Sequence, residues 1–192
     1  NVWGSGGSHK YYFKKIDDII INIFNQDIEK QPKGIVDMGC GDGNFLKHLY
    51  NTIITKTIRK NYLKEYPLYI IGADLNYKAI EAAKVTLSIA NIKHTIFKAT
   101  INNPNNFAKN VKEKLNYNLN MFLNVRSFLD HNRKYIPPKN IFNNHISKSS
   151  CAFCLNGKWI SNNKIEHNLI EHFKIWKPYI NKFGLIFIEL HS

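Results

Sequence analysis

Two spacings of apolar residues alternate along this chain, and they predict alternating helices and strands. Between Lys10 and Phe24 the side chains of Tyr12, Ile16, Ile19, Ile20 and Ile23 share one helical face, with Asp17 and Asp18 opposite. Pro32 and Gly34 interrupt, and residues 34–39 then form a short apolar run typical of a buried strand. Helical spacing resumes at Phe45, Leu46, Leu49, Tyr50, Ile53 and Ile54, followed by a polar, basic extension over 55–66. Further strands are expected at 68–73, 94–98, 119–123 and 185–190. Further helices are expected at 77–90, 107–115 and 164–176, the last bent or ended by Pro178. Residues 1–9 read as a Gly/Ser loop. Residues 132–163 lack a sustained period, contain Pro137-Pro138, and read as a long loop or lid. Strands alternating with helices imply an α/β fold: an open, mainly parallel sheet with helices on both faces.

Length and composition narrow this further. With 192 residues, 44% of them hydrophobic, residues 1–192 suffice for one core and make a single domain. The aromatic and Ile content excludes a disordered chain. No apolar run approaches the ~20 residues of a membrane span, and no basic segment leads into an apolar one at the start, so a cytoplasmic protein is expected. Cys40, Cys151 and Cys154 make no disulfide framework. A first residue Asn1 and a strand-like run that stops at His191-Ser192 suggest a piece of something longer, truncated after its fifth strand.

The net charge is +13, carried by 24 Lys and only 3 Arg. Lys shares A/T-rich codons with the 26 Asn and 27 Ile, so genome composition is one source of the excess. The other is a field for anions: nucleic acid, a phosphorylated cofactor or an acidic carrier protein. Scarce Arg disfavours nucleic acid without excluding it.

Candidate chemistry begins at Asp37-Met38-Gly39-Cys40-Gly41-Asp42-Gly43, between an expected strand and an expected helix. Glycines at alternate positions permit a tight turn and a close approach of backbone to ligand. The helix that follows aims free N–H groups at the same place. Asp74 closes the next strand, where a carboxylate can accept hydrogen bonds from two ribose hydroxyls. It would serve as well to cap the helix that starts near Tyr77. The Gly spacing differs from the nicotinamide-binding Gly-x-Gly-x-x-Gly, and no Gly-Lys-Ser or Gly-Lys-Thr follows.

These two motifs together resemble those of class I S-adenosylmethionine-dependent methyltransferases, which have a Rossmann-like core. A closer resemblance, to the methyltransferase domain of apratoxin-type polyketide synthase loading modules, rests on three stretches. They are Trp3-Gly4-Ser5-Gly6-Gly7-Ser8-His9-Lys10, the run from Asn124-Val125-Arg126-Ser127 to Asp130-His131-Asn132-Arg133, and Glu189-Leu190-His191. The resemblance implies S-adenosylmethionine as cofactor, held by Asp37, Gly39, Cys40, Gly41, Gly43, Asp74, Leu75, Thr100 and Asn124. It also implies C-methylation of a malonyl-type acyl group on an acyl carrier protein, beside adjacent synthase domains, and a divalent metal, Fe or Mn. That metal would sit on His131 and His191. Arg126 and His131 are the implied catalytic residues, with Arg126 pairing a substrate carboxylate or carbonyl. Where members of this group place an acidic residue after the third strand for the adenine amino group, this chain has Thr100, then Asn102 and Asn103.

Other readings stay open. An RNA or small-molecule methyltransferase would suit the charge, although no Asn-Pro-Pro-Tyr-type tetrapeptide follows the fourth strand. A non-catalytic docking module of the same fold is the remaining alternative. Asp130-His131 would read as surface residues in a loop were it not for their place beyond that strand. Cys151-x-x-Cys154 has the spacing of half a zinc site, but nothing completes it, and His167 and His172 are expected to face solvent. Trp3, Trp159 and Trp176 are assigned to core or lid packing.

Overall fold

The computed structural model describes residues 11–130, 133–139 and 146–189. Five strands form the main sheet in the order β3-β2-β1-β4-β7, and every neighbouring pair is parallel. They are β1 (Gly34–Met38), β2 (Tyr69–Asp74), β3 (His94–Lys98), β4 (Leu123–Ser127) and β7 (Leu185–Ile188). A separate antiparallel pair, β5 (Phe153–Leu155) and β6 (Lys158–Ile160), lies between β4 and β7 in the chain. The helices are α1 (Asp17–Phe24), α2 (Asn44–Lys56), α3 (Tyr77–Ile89), α4 (Pro104–Leu115) and α5 (Asn162–Ile180). No helix among the described residues is long and apolar enough to cross a membrane.

Side chains alternate across the pleat, so the sheet has two apolar faces and packs a layer of helices on each. Ile35, Ile70, Leu123 and Val125 meet Ile20 and Phe24 of α1, Leu46, Leu49 and Ile53 of α2, and Ala83 and Leu87 of α3. Val36, Met38, Ile71 and Ala73 meet Phe107 and Val111 of α4 and Trp176 of α5. This is the expected α/β architecture. The chain leaves β1 for β2 and β3 on one side, then returns to pair β4 on the other. That reversal opens a crevice at the carboxyl ends of β1 and β4, where doubly wound sheets bind ligands.

Four local expectations differ from the structure. The fourth strand runs over Leu123–Ser127 instead of 119–123, and Leu119–Met121 is a 3₁₀ turn. Its alternation contains Asn124 and Arg126, polar residues that read as loop until α5 supplies partners for them. The region 132–163 contains the β5–β6 hairpin, closed by Asn156 (φ 52°) and Gly157 (φ 74°), the left-handed pair that a type I′ turn needs. Helix α5 continues through Pro178 to Ile180, the proline forgoing its own N–H bond within the last turn. Finally, Asp17 turns towards α2, where His48 Nε2 (2.7 Å) and Lys56 Nζ (3.1 Å) meet its carboxylate, while Ile19 on the presumed apolar face is exposed.

The polar stretch 55–66 has a structural role. Arg59 is buried and its guanidinium donates to the carbonyls of Pro32, Tyr66 and Pro67 and to Gln31 Oε1. It ties the entry to β1 to the entry to β2.

Candidate active site

The turn after β1 is built on three left-handed glycines, Gly39 (φ 77°), Gly41 (φ 53°) and Gly43 (φ 78°). Two of them are also close-packed: a Cβ on Gly39 would lie 2.9 Å from the Leu129 side chain, and one on Gly43 3.0 Å from Ala83 Cα. Gly41 differs, with nothing within 4 Å of a Cβ position. The turn is pinned to β2 by Gly39 and Cys40 N–H groups donating to Ala73 O. Gly41 N–H donates to Asp74 Oδ2 (3.1 Å).

Asp74 therefore joins the two motifs physically. Its Oδ1 accepts from Asn76 N–H (2.8 Å), but the helix cap itself is Asn76, whose side chain accepts from Lys78 N–H. A carboxylate offers about four lone-pair positions, so Asp74 retains acceptor capacity. It lines a cavity of about 200 Å³ together with Met38, Gly39, Leu75, Ala99, Thr100, Ile101 and Asn102. Leu129, Arg133 and Lys134 complete the wall. Thr100 Oγ1 accepts from Asn102 N–H (3.3 Å), and Asn103 caps α4 by accepting from Asn106 N–H.

Asp37 is wholly buried on β1, and neither carboxylate oxygen has a hydrogen-bond partner among the described residues. Burial, then the nearby Asp74 charge, hold its pKa well above the usual carboxylate range. Cys40 packs into the core behind the turn, within 2.9 Å of a Cβ placed on Gly72, and burial with the same two carboxylates pushes its thiol up. Cys40 Sγ is thus a packing group.

Beyond β4 the chain turns at Phe128, an aromatic residue held at φ 54°. Such a conformation is costly for a bulky side chain and marks a site held by its surroundings. Next come Leu129 against Gly39, and Asp130. Arg126 is almost wholly buried, its guanidinium 4.1 Å from the Trp176 ring centre. Its Nη1 donates to His172 Nε2 (3.0 Å) and lies 3.5 Å from Asp130 Oδ1. Arg133 Nε is 3.8 Å from the same oxygen, and its Nη1 donates to Asn168 Oδ1 (2.7 Å). Burial, then the two arginines, push His172 down to about 3, so it is a neutral acceptor for Arg126. Arg126 Nε and Nη2, Arg133 Nε and Asp130 Oδ2 have no hydrogen-bond partner among the described residues.

Among the expected site residues, the structure brings Gly39, Asp74, Leu75 and Thr100 to one cavity, with Gly41 and Gly43 in the adjoining turn and Asp37 beside it. Asn124 lies elsewhere: its Nδ2 donates to Phe122 O and Tyr179 O, between the sheet and α5. Arg126 lies behind the wall, in the network that holds Arg133. His131 and His191 lie outside the described residues, and so does the run from Trp3 to Lys10. Among the described residues no three His, Cys, Asp or Glu side chains gather as a metal site. His167 and His172 are buried, contrary to the solvent-facing expectation, because both turn inward from α5. Trp176 is core, whereas Trp159 is 71% exposed. Sequence reasoning missed Leu129, Arg133, Asn168 and His172. Leu129 and Arg133 lie in the run from Asn124 to Arg133 that carries the resemblance, whereas Asn168 and His172, far along the chain on α5, offered no signal.

A glycine turn under an acidic strand end, at the reversal of a parallel sheet, is an arrangement that suits a nucleotide-type ligand, and a family model matches the chain that carries it. The model described as AprA MT2-like domain, a methyltransferase family, matches residues 1–192. The chain belongs to that family. Among proteins of curated function, none matches it. As an AprA MT2-like domain it is a methyltransferase-family domain, and its five-strand sheet is the Rossmann-like core expected of one.

Proposed function

We propose that this AprA MT2-like domain binds S-adenosylmethionine in the cavity beside Asp74 and methylates a malonyl-type acyl group presented by a carrier protein. The observation that carries the reading is the Asp74 carboxylate on the cavity wall, steered by Gly41 N–H and left with acceptor capacity. The residues fit the cofactor on a second count. Asp37, next to the glycine turn, has two buried oxygens with no hydrogen-bond partner among the described residues, and S-adenosylmethionine brings a sulfonium and an ammonium cation.

When bound, this cofactor supplies an electrophilic methyl group. Asp74 would accept hydrogen bonds from the ribose hydroxyls, and Thr100, Ala99, Ile101 and Leu75 are the cavity residues that would hold the base. Gly41, lacking a Cβ, leaves room for close approach to the backbone. Leu129 covers Gly39 and keeps water from that end of the cavity. Arg133, on the wall, is the group placed to hold an acceptor carboxylate or carbonyl, while Arg126, Asp130 and Asn168 fix its orientation. The described residues alone do not assemble a dication site. Asp130, the carboxylate next to His131, is already shared by Arg126 and Arg133.

Nucleic acid as acceptor is disfavoured on a specific ground. Arg59 and Arg126 are buried at 1% exposure and Arg133 faces the cavity wall with 9% of its side chain exposed, so none of the three arginines stands on the outer surface as a fork for a phosphate backbone.

The test is calorimetry with S-adenosylmethionine, followed by mass spectrometry of malonyl carrier protein after incubation. Binding and a gain of one methyl group on the acyl moiety are expected. Binding without transfer to any malonyl thioester would overturn the acceptor, and no binding would overturn the cofactor.

A further inference from the structure

Away from the cofactor cavity, a second concavity of about 470 Å³ lies between the β5–β6 hairpin and the segment 135–138. Its walls are apolar and stiff: Tyr135, Pro137, Pro138, Leu155, Trp159 and Ile160. Trp159 and Leu155 are strongly exposed, although both have the size and character to be buried. Among the described residues the hairpin strands pair with each other and not with the main sheet, and neither central cluster includes a hairpin residue. An exposed Trp159 beside a half-buried Tyr135 and rigid prolines is what the centre of a protein interface is made of.

Charge says what would sit there. From residue 133 to 165 the chain carries Arg133, Lys134, Lys139, Lys148, Lys158 and Lys164 and not one Asp or Glu. Lys158 and Lys164 line the groove itself. Lysine is a compact point charge, matched to single carboxylates rather than to the paired oxygens that Arg prefers. Position says why it matters. Arg133 and Lys134 belong to the cavity wall, and Tyr135, the next residue, belongs to the groove.

We propose that this groove docks an acidic protein segment with an aliphatic anchor, and that the protein so held is the one presenting the acceptor to the cavity. The second half of this statement rests on the methyl-transfer function; the docking itself does not. Carboxylates of the partner pair with Lys158 and Lys164, and its anchor packs on Trp159 between Leu155 and the two prolines.

The test uses the whole chain and a fluorescein-labelled synthetic peptide of Glu and Leu with helical spacing, read by anisotropy. A Gln-for-Glu peptide and a single-stranded RNA of equal charge are the comparisons. Binding of the Glu peptide is expected to be about tenfold tighter than that of its Gln counterpart. It should weaken about tenfold in the Lys158→Glu/Lys164→Glu double variant and disappear in Trp159→Ala. S-adenosylmethionine affinity and melting temperature should stay unchanged in these variants, because all three side chains are exposed. Unaltered peptide affinity in the double variant, absence of peptide binding, or displacement of the peptide by the RNA would overturn the proposal. Failure of the wild-type chain to bind S-adenosylmethionine while the peptide still docks would sink the methyl-transfer reading and leave the groove assigned.

Discussion

At the scale of single residues, the glycine turn separates into positions that hold the fold and a position that faces a ligand. Gly43 has both a left-handed φ and a close neighbour in Ala83. Gly43→Ala should therefore destabilise by about 2 kcal/mol, from conformational strain and from pushing α2 off α3. Gly41 has the same kind of φ with open space around it. Gly41→Ala should cost only about 1 kcal/mol of stability while its new methyl group intrudes where the cofactor backbone contact is proposed. Denaturant titration alongside calorimetry checks both. Equal effects of the two substitutions on binding would mean the turn acts only as a scaffold.

Asp37 shows the opposite balance, a residue that weakens the empty fold. Its raised pKa means that the folded state holds a proton to higher pH than the unfolded chain does. The folded state thus loses stability as pH rises above the ordinary carboxylate range, near 3.8. Asp37→Asn removes the ionisable group. The ligand-free variant should melt about 2–4 °C higher than the wild type at pH 8, the shift expected for roughly 1 kcal/mol in a domain of this size. Its affinity for S-adenosylmethionine should fall about tenfold. A lower melting temperature at pH 8 would show that Asp37 has a stabilising partner.

At the scale of elements, polar side chains do part of the work usually left to apolar packing. Arg59 joins the 3₁₀ turn after α2 to the segments that enter β1 and β2, and its burial lowers its own pKa to about 10. Arg59→Ala would strand four acceptors. A loss of about 3 kcal/mol is expected, or roughly 6–12 °C in melting temperature. Thermal denaturation measures it, and a shift under 2 °C would show that water replaces the guanidinium without penalty. Strand β4 depends on the same principle, since Asn124 and Arg126 become strand residues only because Tyr179 and His172 of α5 receive them. This is why the expected strand stopped four residues short. The hairpin was legible in principle, through Asn156-Gly157, but strands of three residues give alternation too little length to register.

At the scale of the whole molecule, the network at the carboxyl ends of β4 and β7 couples acid stability to the site. His172 sits at about 3 when folded, against 6.5 for an ordinary imidazole. The unfolded chain binds the extra proton between those values, so the stability linked to neutral His172 is complete above pH 6.5 and is lost as pH falls towards 3. His172→Gln keeps an acceptor for Arg126 and removes the titration. Its acid-unfolding midpoint, followed by circular dichroism, should move to lower pH than that of the wild type. Coincident midpoints would mean that His172 takes up its proton without opening the network.

What the sequence alone determined about this protein is whatever depends on neighbours along the chain. The first three strands fall where their apolar runs lie, within a residue or two. The turn at Gly39–Gly43 is fixed by a backbone conformation that only glycine adopts easily, and Asp74 follows from ending the next strand. Local geometry is enough for each. The tertiary structure alone decided which polar groups are buried against one another. It sets Arg126 on His172, 46 positions later, and Arg133 on Asn168, 35 positions later. It also left Asp37 without a hydrogen-bond partner among the described residues and placed Arg133 on the cavity wall and Tyr135 in the groove. Such pairings carry no periodicity, because a buried polar side chain is stable only through partners that the fold brings from a distance.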